Sequence, residues 1–544
     1  MLLRSPVGLD EGRLEAAARR IIDHHPALRT TVRPGTGEDW SVDILAPDAA
    51  PTRRLVDRVD VSGLGEVELA DTITRHAARA RAELNPRKGV LLRLRWFDAG
   101  ARPGRLLVIG HHIAVDAVSW PILLTDLLTV LRTGDDHALS RPGTSLRRWA
   151  QLLAEEAVSD TTVAELEQWK TILSHQVPSL TTEPLDPALD RVGSEAEVQV
   201  TLPADLTRRV LEEATARFHT GPDVVLLAAL AAALAETTGR GDLLVDLERH
   251  GREPIRGADL TGTVGWFTTV HPAFVSINPA GVGEIPAKST PGSEGDRSGS
   301  EGGASGSEGG ALGLRGGASG LRGGASGSQG GALGSQGGAR GSQGGASGSQ
   351  GSVSGSEGGT PRSRRAFGRD PVVGAGIDWT TVVKSVKERL SVVPRAGVGY
   401  GLLRYVNAET RGELAGLARP EIAFNYLGRG GAAAVGEWGP AGEAIGIDAF
   451  DDDVPSIHVL QLNTGVRHTA EGDCLVGTFR WPARLATRAA IDEFAAAWLR
   501  ALRGLARHLD DDGSGGHSPS DFPLLSLAQS QVDGLERKWR RNRR

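Results

Sequence analysis

The sequence is poor in the residues that build covalent cross-links and metal-thiolate centres. Its 544 residues include a single cysteine, Cys474. An intrachain disulfide is therefore impossible and no thiolate-based metal site can be built, which fits a reducing cytosol. A long uncharged apolar run is also missing and the mean hydropathy is -0.20, which argues against a transmembrane helix.

The charge balance excludes further classes of protein. The formal net charge is -6 and the pI is near 6.2, so nothing global points to nucleic acid or to an anionic membrane as a partner. The first residues, "MLLRSPVGLDEGRLEAAARR", lack a basic leader followed by a sustained hydrophobic region. We therefore expect no secretory signal and a cytoplasmic location.

The length and the composition along the chain predict two α/β lobes with a groove between them. A Gly/Ser/Gln-rich stretch without apolar anchors cannot bury enough surface to offset the entropy of ordering, so we expect it to be a disordered insertion. The predicted divisions are residues 1–178 for the first lobe, 179–194 for a linker, 195–276 and 376–512 for the second lobe, 277–375 for the insertion, and 513–544 for a C-terminal tail with a solvated basic end.

Two adjacent histidines stand where a buried strand is predicted to give way to a helix. The run "RLLVIG" before them is short, apolar and rich in β-formers, and "VSWPILLTDLLTVL" after them has apolar residues at helical spacing. Neighbouring side chains on a strand point to opposite faces, so His111 and His112 cannot both face one cavity. We expect one histidine to be functional and the other to be structural.

Several motifs together resemble one family. "HHIAVDAVSW" resembles the HHxxxDG signature of the condensation-domain superfamily of nonribosomal peptide synthetases, and Trp120 is closer to its epimerization branch. Six such motifs in the same order are much more specific than one. The others are "LERHGRE" around Glu248–Glu253, "TVGWFT" (Thr263–Thr268), "GVGYGLLRY" (Gly397–Tyr405), "FNYLG" (Phe424–Gly428) and "SPSDFPLLSL" (Ser518–Leu527).

The resemblance implies a fold, an activity and partners. The fold would be mixed α/β (α+β), with two lobes like chloramphenicol acetyltransferase that form a V-shaped pseudo-dimer around a central tunnel. The activity would be L-to-D epimerization of an aminoacyl or peptidyl thioester in the biosynthesis of a nonribosomal peptide such as an antibiotic. The substrate would be tethered to the 4'-phosphopantetheine of a peptidyl carrier protein loaded by an upstream adenylation module. No metal and no cofactor of its own is implied.

Epimerization requires that a Cα proton is removed and that one is returned to the opposite face. Two acid/base groups suit this step, because the pKa of histidine lies near neutrality and that of a partly buried glutamate can be raised towards it. The resemblance assigns these roles to His112 and Glu248, and it leaves open which of them is the base in each direction. Asn425 and Tyr426 are the candidate donors to the charged thioester oxygen. Structural roles at the site are expected for His111, Asp116, His250 and Trp266.

The sequence also departs from the family pattern. Ala117 and Arg249 replace glycines, and Gly262 stands where an arginine is common. If Arg249 points inward, it would lower the pKa of Glu248. If the arginine common at position 262 normally holds the motif aspartate, Asp116 has lost its partner. Met1 lies close to the first predicted helix, so we expect the opening strand of the family to be missing.

Two alternatives remain open beside epimerization. A condensation-type acyltransferase would use His112 to assist attack by an amine. A catalytically impaired domain would keep only a role in docking a carrier protein. If His112 and Glu248 face one another across an open tunnel, epimerization is favoured, whereas a tunnel plugged by Arg249 would favour the scaffold.

Overall fold

The computed structural model describes residues 1–542 except for 36–39, 50–53, 135–138, 140–142, 278–376, 430–436, 444–450 and 512. The predicted disordered insertion, 277–375, therefore lies outside the described residues apart from its first position. The strands are β1 (Leu2–Ser5), β2 (Thr30–Pro34), β3 (Trp40–Ile44), β4 (Val56–Asp60), β5 (Leu92–Asp98), β6 (Gly104–Gly110), β7 (Glu195–Leu202), β8 (Asp242–Arg249), β9 (Thr269–Ser276), β10 (Ile422–Arg429), β11 (Gly439–Pro440), β12 (Leu460–Thr469) and β13 (Gly472–Pro482).

Groups of helices stand between groups of strands along the described chain. A π-helical turn at Arg209–Ala214 joins α7 to α8, and a second one at Leu402–Val406 follows α11. The helices are α1 (Glu11–His24), α2 (Glu66–Glu83), α3 (Ser119–Thr133), α4 (Leu146–Ala157), α5 (Asp160–Val163), α6 (Leu166–Leu173), α7 (Ala204–Arg208), α8 (Thr215–Phe218), α9 (Pro222–Thr238), α10 (Trp379–Ser391), α11 (Val398–Gly401), α12 (Arg411–Ala415), α13 (Arg488–His508) and α14 (Gln529–Asn542).

The N-terminal sheet has the strand order β11-β1-β6-β5-β4. Strand β1 precedes α1, so a strand is present at the point where the opening strand of the family was expected to be missing. Its backbone pairs antiparallel with β6, with Leu3 opposite Leu106. Both side chains are buried in the core beneath α1 and α3. Four residues suffice for this strand because the longer β6 supplies its pairing partners.

The C-terminal sheet has the order β7-β13-β12-β10-β8-β9. Strands β8, β10 and β12 run parallel to their neighbours within this group, and the outer pairings are antiparallel. Helix α9 is apolar around its whole circumference and is buried against α13 and the sheet, as expected of a core helix. Because β8 and β10 are parallel, their carboxyl ends meet at one edge of the sheet.

A strand pairing and an ion pair link segments of the C-terminal half of the chain to the N-terminal sheet. Strand β11 follows β10 in the chain but pairs with β1 in the N-terminal sheet. This differs from the predicted boundaries, which place all of 376–512 in the second lobe. Next to β11, Arg105 Nη2 lies 2.7 Å from Glu443 Oε1. A two-residue strand carries no periodic pattern, so the sequence contains no signal for this crossing.

Part of the C-terminal tail packs against α10. Val532 of α14 is fully buried, and Lys384 Nζ lies 3.3 Å from Asp533 Oδ1. Upstream in the tail, Lys387 Nζ donates to Asp521 at 2.6 Å. Two buried lysines of α10 are thus neutralised by carboxylates of the tail. In the basic end itself, Arg537, Lys538 and Trp539 are exposed, as predicted.

Among the described helices, no single one is long and apolar enough to cross a membrane. One bent pair, Ala204–Phe218 with Pro222–Thr238, meets the length and composition requirement when its two parts are taken together across a bend of 106°.

A prediction concerns the contact between β13 and α13. A Cβ added to Gly477 would lie 2.6 Å from Cζ3 of Trp498, which is fully buried. We expect Gly477→Val to push α13 off the sheet and to reduce the free energy of unfolding by about 1–3 kcal/mol, measured by urea denaturation. Gly412→Ala is the matched control, because a Cβ there meets nothing within 4 Å. Equal stability of the two variants would contradict the packing described here.

Candidate active site

The histidine pair lies in the loop between β6 and α3, and both flanking elements confirm the predicted strand and helix. The His111 backbone N–H donates to the Leu91 carbonyl at 2.8 Å, and its Nδ1 accepts from the Ile113 N–H at 3.2 Å. Burial and the neighbouring charge of His112 lower the pKa of His111. These contacts hold His111 against the start of the neighbouring strand β5 and leave His112 as the histidine next to the carboxyl end of β8.

Asp116 ties this loop to two distant segments. Its side chain is 1 % exposed, and Oδ1 accepts from the Ser119 N–H, the Ser119 hydroxyl and Arg252 Nη2 at 2.8, 2.7 and 2.9 Å. Its Oδ2 accepts from the Phe267 N–H at 3.1 Å. The expectation that Asp116 lacks a partner because position 262 is glycine is therefore wrong, since Arg252 neutralises the carboxylate instead.

The segment around Gly265 is fixed against the same loop. Its carbonyl accepts from the Asp116 N–H at 3.2 Å and from the Ser119 hydroxyl at 3.0 Å, and its own N–H donates to that hydroxyl at 3.1 Å. A Cβ at Gly265 would lie 2.7 Å from the Phe267 ring, so glycine is required there. Trp266 is thereby held over His112, with ring centroids 4.8 Å apart and planes inclined by 40°. The predicted structural role of Trp266 is compatible with this contact, although half of its side chain is exposed.

Glu248 stands near the end of β8 on an open cavity of about 350 Å³. The parallel pairing with β10 brings Asn425 and Tyr426 to the same cavity. His112 lies beside it and, among the described residues, is outside its lining. The lining residues are Asp116, Ala117, Val118, Pro222, Asp223, Leu247, Glu248, Arg249, His250, Thr268, Phe424, Asn425, Tyr426, Leu427 and Gly428.

The environment of Glu248 favours its protonated form. Burial among the cavity walls raises the pKa of this carboxyl above its ordinary value of 4.5, and the charge of Asp116 adds to the increase. The charge of His112 and hydrogen bonding from Asn425 act in the opposite direction. The carboxyl is reached by solvent through the cavity but is surrounded by protein on its other sides, so desolvation is the dominant cause.

Arg249 lines the cavity. The expectation that it lowers the pKa of Glu248 is not met. Its Nη1 donates to Asp223 Oδ2 at 2.6 Å, and the pKa of Glu248 is raised. The prediction is wrong because Asp223, in the first turn of α9, neutralises the guanidinium. Sequence reasoning missed Asp223, since nothing in a helix beginning with "PD" indicates which side chain it will meet.

The remaining predicted residues have simpler surroundings. His250 is exposed, and its Nδ1 accepts from the Arg252 N–H at 3.0 Å, which shapes the turn that delivers Arg252 to Asp116. Burial raises the pKa of the Tyr426 hydroxyl, so it is a hydrogen-bond donor at neutral pH. Ala117 is outside the positive-φ region, so its backbone does not require the glycine of the family pattern.

In the described part of the chain, the histidine and carboxylate groups that could share a metal ion lie away from this cavity. They are His24, His25 and Asp126, whose donor atoms are within 4.8 Å of one another. His25 Nε2 is 2.9 Å from Asp126 Oδ2, so the pair links the end of α1 to α3.

Comparison with known proteins defines the class. The model of the condensation domain family matches residues 1–281. Among relatives, a linear gramicidin synthase polypeptide of Brevibacillus parabrevis is 28% identical over 542 residues, and chondramide synthase of Chondromyces crocatus is 29% identical over 553. Each alignment covers 98% of this chain, which spans only 6% and 11% of the respective relatives.

Solved structures agree with this class in their fold. The epimerization domain from the third module of tyrocidine synthetase B superimposes with a TM-score of 0.67 at 20% identity, covering 93% of this chain and 92% of that one. The first condensation domain of the CDA synthetase gives 0.57 at 18% identity, covering 94% and 91%. The protein thus has the mixed α/β condensation-domain fold. It belongs to the condensation-domain family.

The buried Asp116–Arg252 pair generates a prediction on stability. Asp116→Ala leaves the guanidinium of Arg252, which is 8% exposed, without its counter-charge. We expect the free energy of unfolding to fall by about 3–5 kcal/mol, measured by urea denaturation. Asp43→Ala is the control, because it breaks an exposed pair with Arg33 that contributes about 0–1 kcal/mol. Similar losses in both variants would show that Asp116 does not hold the loops together.

Proposed function

We propose that this domain epimerizes the Cα of an aminoacyl or peptidyl thioester carried on the phosphopantetheine of a peptidyl carrier protein. The observation that carries the proposal is an ionisable carboxyl that lines the cavity, with an imidazole beside that cavity. Glu248 has a raised pKa, and His112 is near enough for its charge to act on that carboxyl. Epimerization needs two such groups, because one must remove the proton and another must return a proton from the opposite face.

In the proposed mechanism the two groups exchange protonation states. In one direction the Glu248 carboxylate takes the Cα proton, and the electron pair moves onto the thioester oxygen as an enolate. The imidazolium of His112 then delivers a proton to the opposite face, and the thioester carbonyl is restored. The reverse direction begins with neutral His112 and protonated Glu248. Asn425 and Tyr426 are the proposed donors to the enolate oxygen.

Partners follow from the proposed substrate. The carrier protein brings the phosphopantetheine, and an upstream adenylation module supplies the amino acid, within the cytoplasmic biosynthesis of a peptide antibiotic or a similar secondary metabolite. The arrangement of the lobes as a V around a tunnel belongs to this proposal. Relatives named as gramicidin and chondramide synthases support the setting, and the domain itself is proposed to need no metal or cofactor.

A condensation-type acyltransferase is the second candidate. The match to the condensation domain family favours it, as does the position of His112 after β6, where it could assist an attacking amine. The acid/base pairing with Glu248 has no evident task in amide formation, and this favours epimerization. Arg249 lines an open cavity rather than filling it, which weakens the argument for a scaffold without activity.

Deuterium exchange tests the proposed reaction. A carrier protein loaded with an L-aminoacyl or L-peptidyl thioester is incubated with the domain in deuterated water, and the hydrolysed product is analysed for chirality and Cα deuterium. We expect a D-configured product that carries deuterium at Cα. The rate of its formation should be reduced about 10²–10⁴-fold in His112→Ala and in Glu248→Gln. His468→Ala, an exposed histidine paired with Asp473, should behave as the unchanged protein. Amide formation with an added acceptor amine, without exchange, would establish the condensation alternative.

The pKa of Glu248 predicts the pH dependence. If the ionised carboxylate is the base, the exchange rate falls as the pH falls through its pKa. Because this pKa is raised from the ordinary value of 4.5, the acid limb of the pH–rate profile lies above pH 4.5. Asn425→Ala removes a hydrogen bond that lowers this pKa, and we expect the limb to move to higher pH. The measurement is the rate of deuterium exchange at about five pH values between roughly pH 4 and pH 8. A limb that stays in place or moves to lower pH would rule out Glu248 as the titrating group.

A further inference from the structure

One wall of the cavity is an ion pair that the proposed reaction does not use. Arg249 is the last residue of β8 and directly follows Glu248, and Asp223 lies in the first turn of α9. Both residues line the cavity, and they are joined by a single contact of 2.6 Å. Their side chains are 33% and 22% exposed, so the pair is partly shielded from water at the end of the strand that carries the proposed acid/base residue.

This pair holds the arginine in place. A carboxylate is favourable in the first turn of a helix, and Asp223 Oδ1 lies close over Gly221, 2.5 Å from where a Cβ would stand. The Nε of Arg249 is buried and has no hydrogen-bond partner among the described residues. Withdrawal of the side chain would also leave Asp223 unpaired, and separating a partly buried ion pair is unfavourable. Arg249 therefore limits the cavity as a fixed wall.

The space that this wall leaves is small. Ligand pockets usually enclose about 300–1,000 Å³, and this cavity of about 350 Å³ lies at the lower end of that range, so little room is left beside Glu248 and Arg249 for the side chain of a substrate. Much of the remaining lining is apolar, from Ala117 and Val118 on one loop to Leu247, Phe424 and Leu427 on β8 and β10. An aliphatic side chain would match these walls, whereas an anionic one would lose water and find the Arg249 guanidinium already paired with Asp223.

We infer that Arg249, anchored by Asp223, is a specificity-determining residue that restricts the substrate to thioesters whose epimerizing residue has a small aliphatic side chain. This inference rests on the proposed function. Arg249 acts by occupying volume, because its charge is already neutralised. Removing its side chain enlarges the cavity next to Glu248 and admits larger residues, while the acid/base pair stays in place.

The test compares one carrier protein loaded with L-alanine, L-valine or L-phenylalanine. The exchange assay gives kcat/KM for each substrate with the unchanged domain and with Arg249→Ala. We expect the unchanged domain to favour valine over phenylalanine by about tenfold or more, a discrimination within reach of an apolar pocket. In Arg249→Ala the ratio of kcat/KM for valine to kcat/KM for phenylalanine should fall about tenfold. This fall should come from a higher kcat/KM for phenylalanine rather than from a lower one for valine.

Two further variants separate specificity from folding. Arg249→Ala combined with Asp223→Asn leaves no unpaired charge and should show the same relaxed ratio, whereas Arg249→Lys keeps a long cation and should keep the preference for valine. Thermal unfolding of each variant monitors its stability. Exchange of all three substrates with a ratio that no variant changes would overturn the inference and leave the proposed function intact. No exchange on any carrier by the unchanged domain would overturn both.

Discussion

A single buried carboxylate determines how the segments around the cavity are arranged. Asp116 receives hydrogen bonds from its own helix start, from Arg252 and from the backbone of Phe267. A charge that is 1% exposed is very unfavourable unless all its acceptor sites are used, so these three segments have one mutually consistent geometry. That geometry presents His112 beneath Trp266 and directs the end of β8 towards the same place.

The parallel sheet supplies the other half of the site. Strands β8 and β10 end at one edge, which places Glu248 beside Asn425 and Tyr426. The same edge forms the cavity, so Glu248 is exposed to solvent there while protein atoms surround its remaining sides. Desolvation raises its pKa, and Asn425 together with His112 limits the increase. The position of a side chain at a strand end therefore determines its acid/base behaviour as well as its access to a substrate.

How far the sequence predicted this arrangement depends on the range of each interaction. The strand before His111 and the helix after Val118 follow from local patterns, and both are present. Arg252 reaches Asp116 across 136 residues, and no local pattern reports such a pairing. Motif comparison at Gly262 led to the wrong expectation because it assumes one position for the arginine, whereas the carboxylate needs only a guanidinium within reach. Strand β11 was missed for the related reason that its two residues form a strand only through the partner they meet.

The ion pairs at the cavity explain why Glu248 differs from the other acidic residues there. Asp116 is paired with Arg252, and Asp223 is paired with Arg249, so each of these carboxylates has its own guanidinium. Glu248 has an amide and a nearby imidazole instead. A guanidinium would hold a carboxylate ionised across the physiological range, whereas these weaker partners leave desolvation as the dominant influence. Pairing the surrounding charges with one another thus keeps Glu248 able to take up and release a proton, and it makes Arg249 a wall of the cavity rather than a counter-ion of the reactive group.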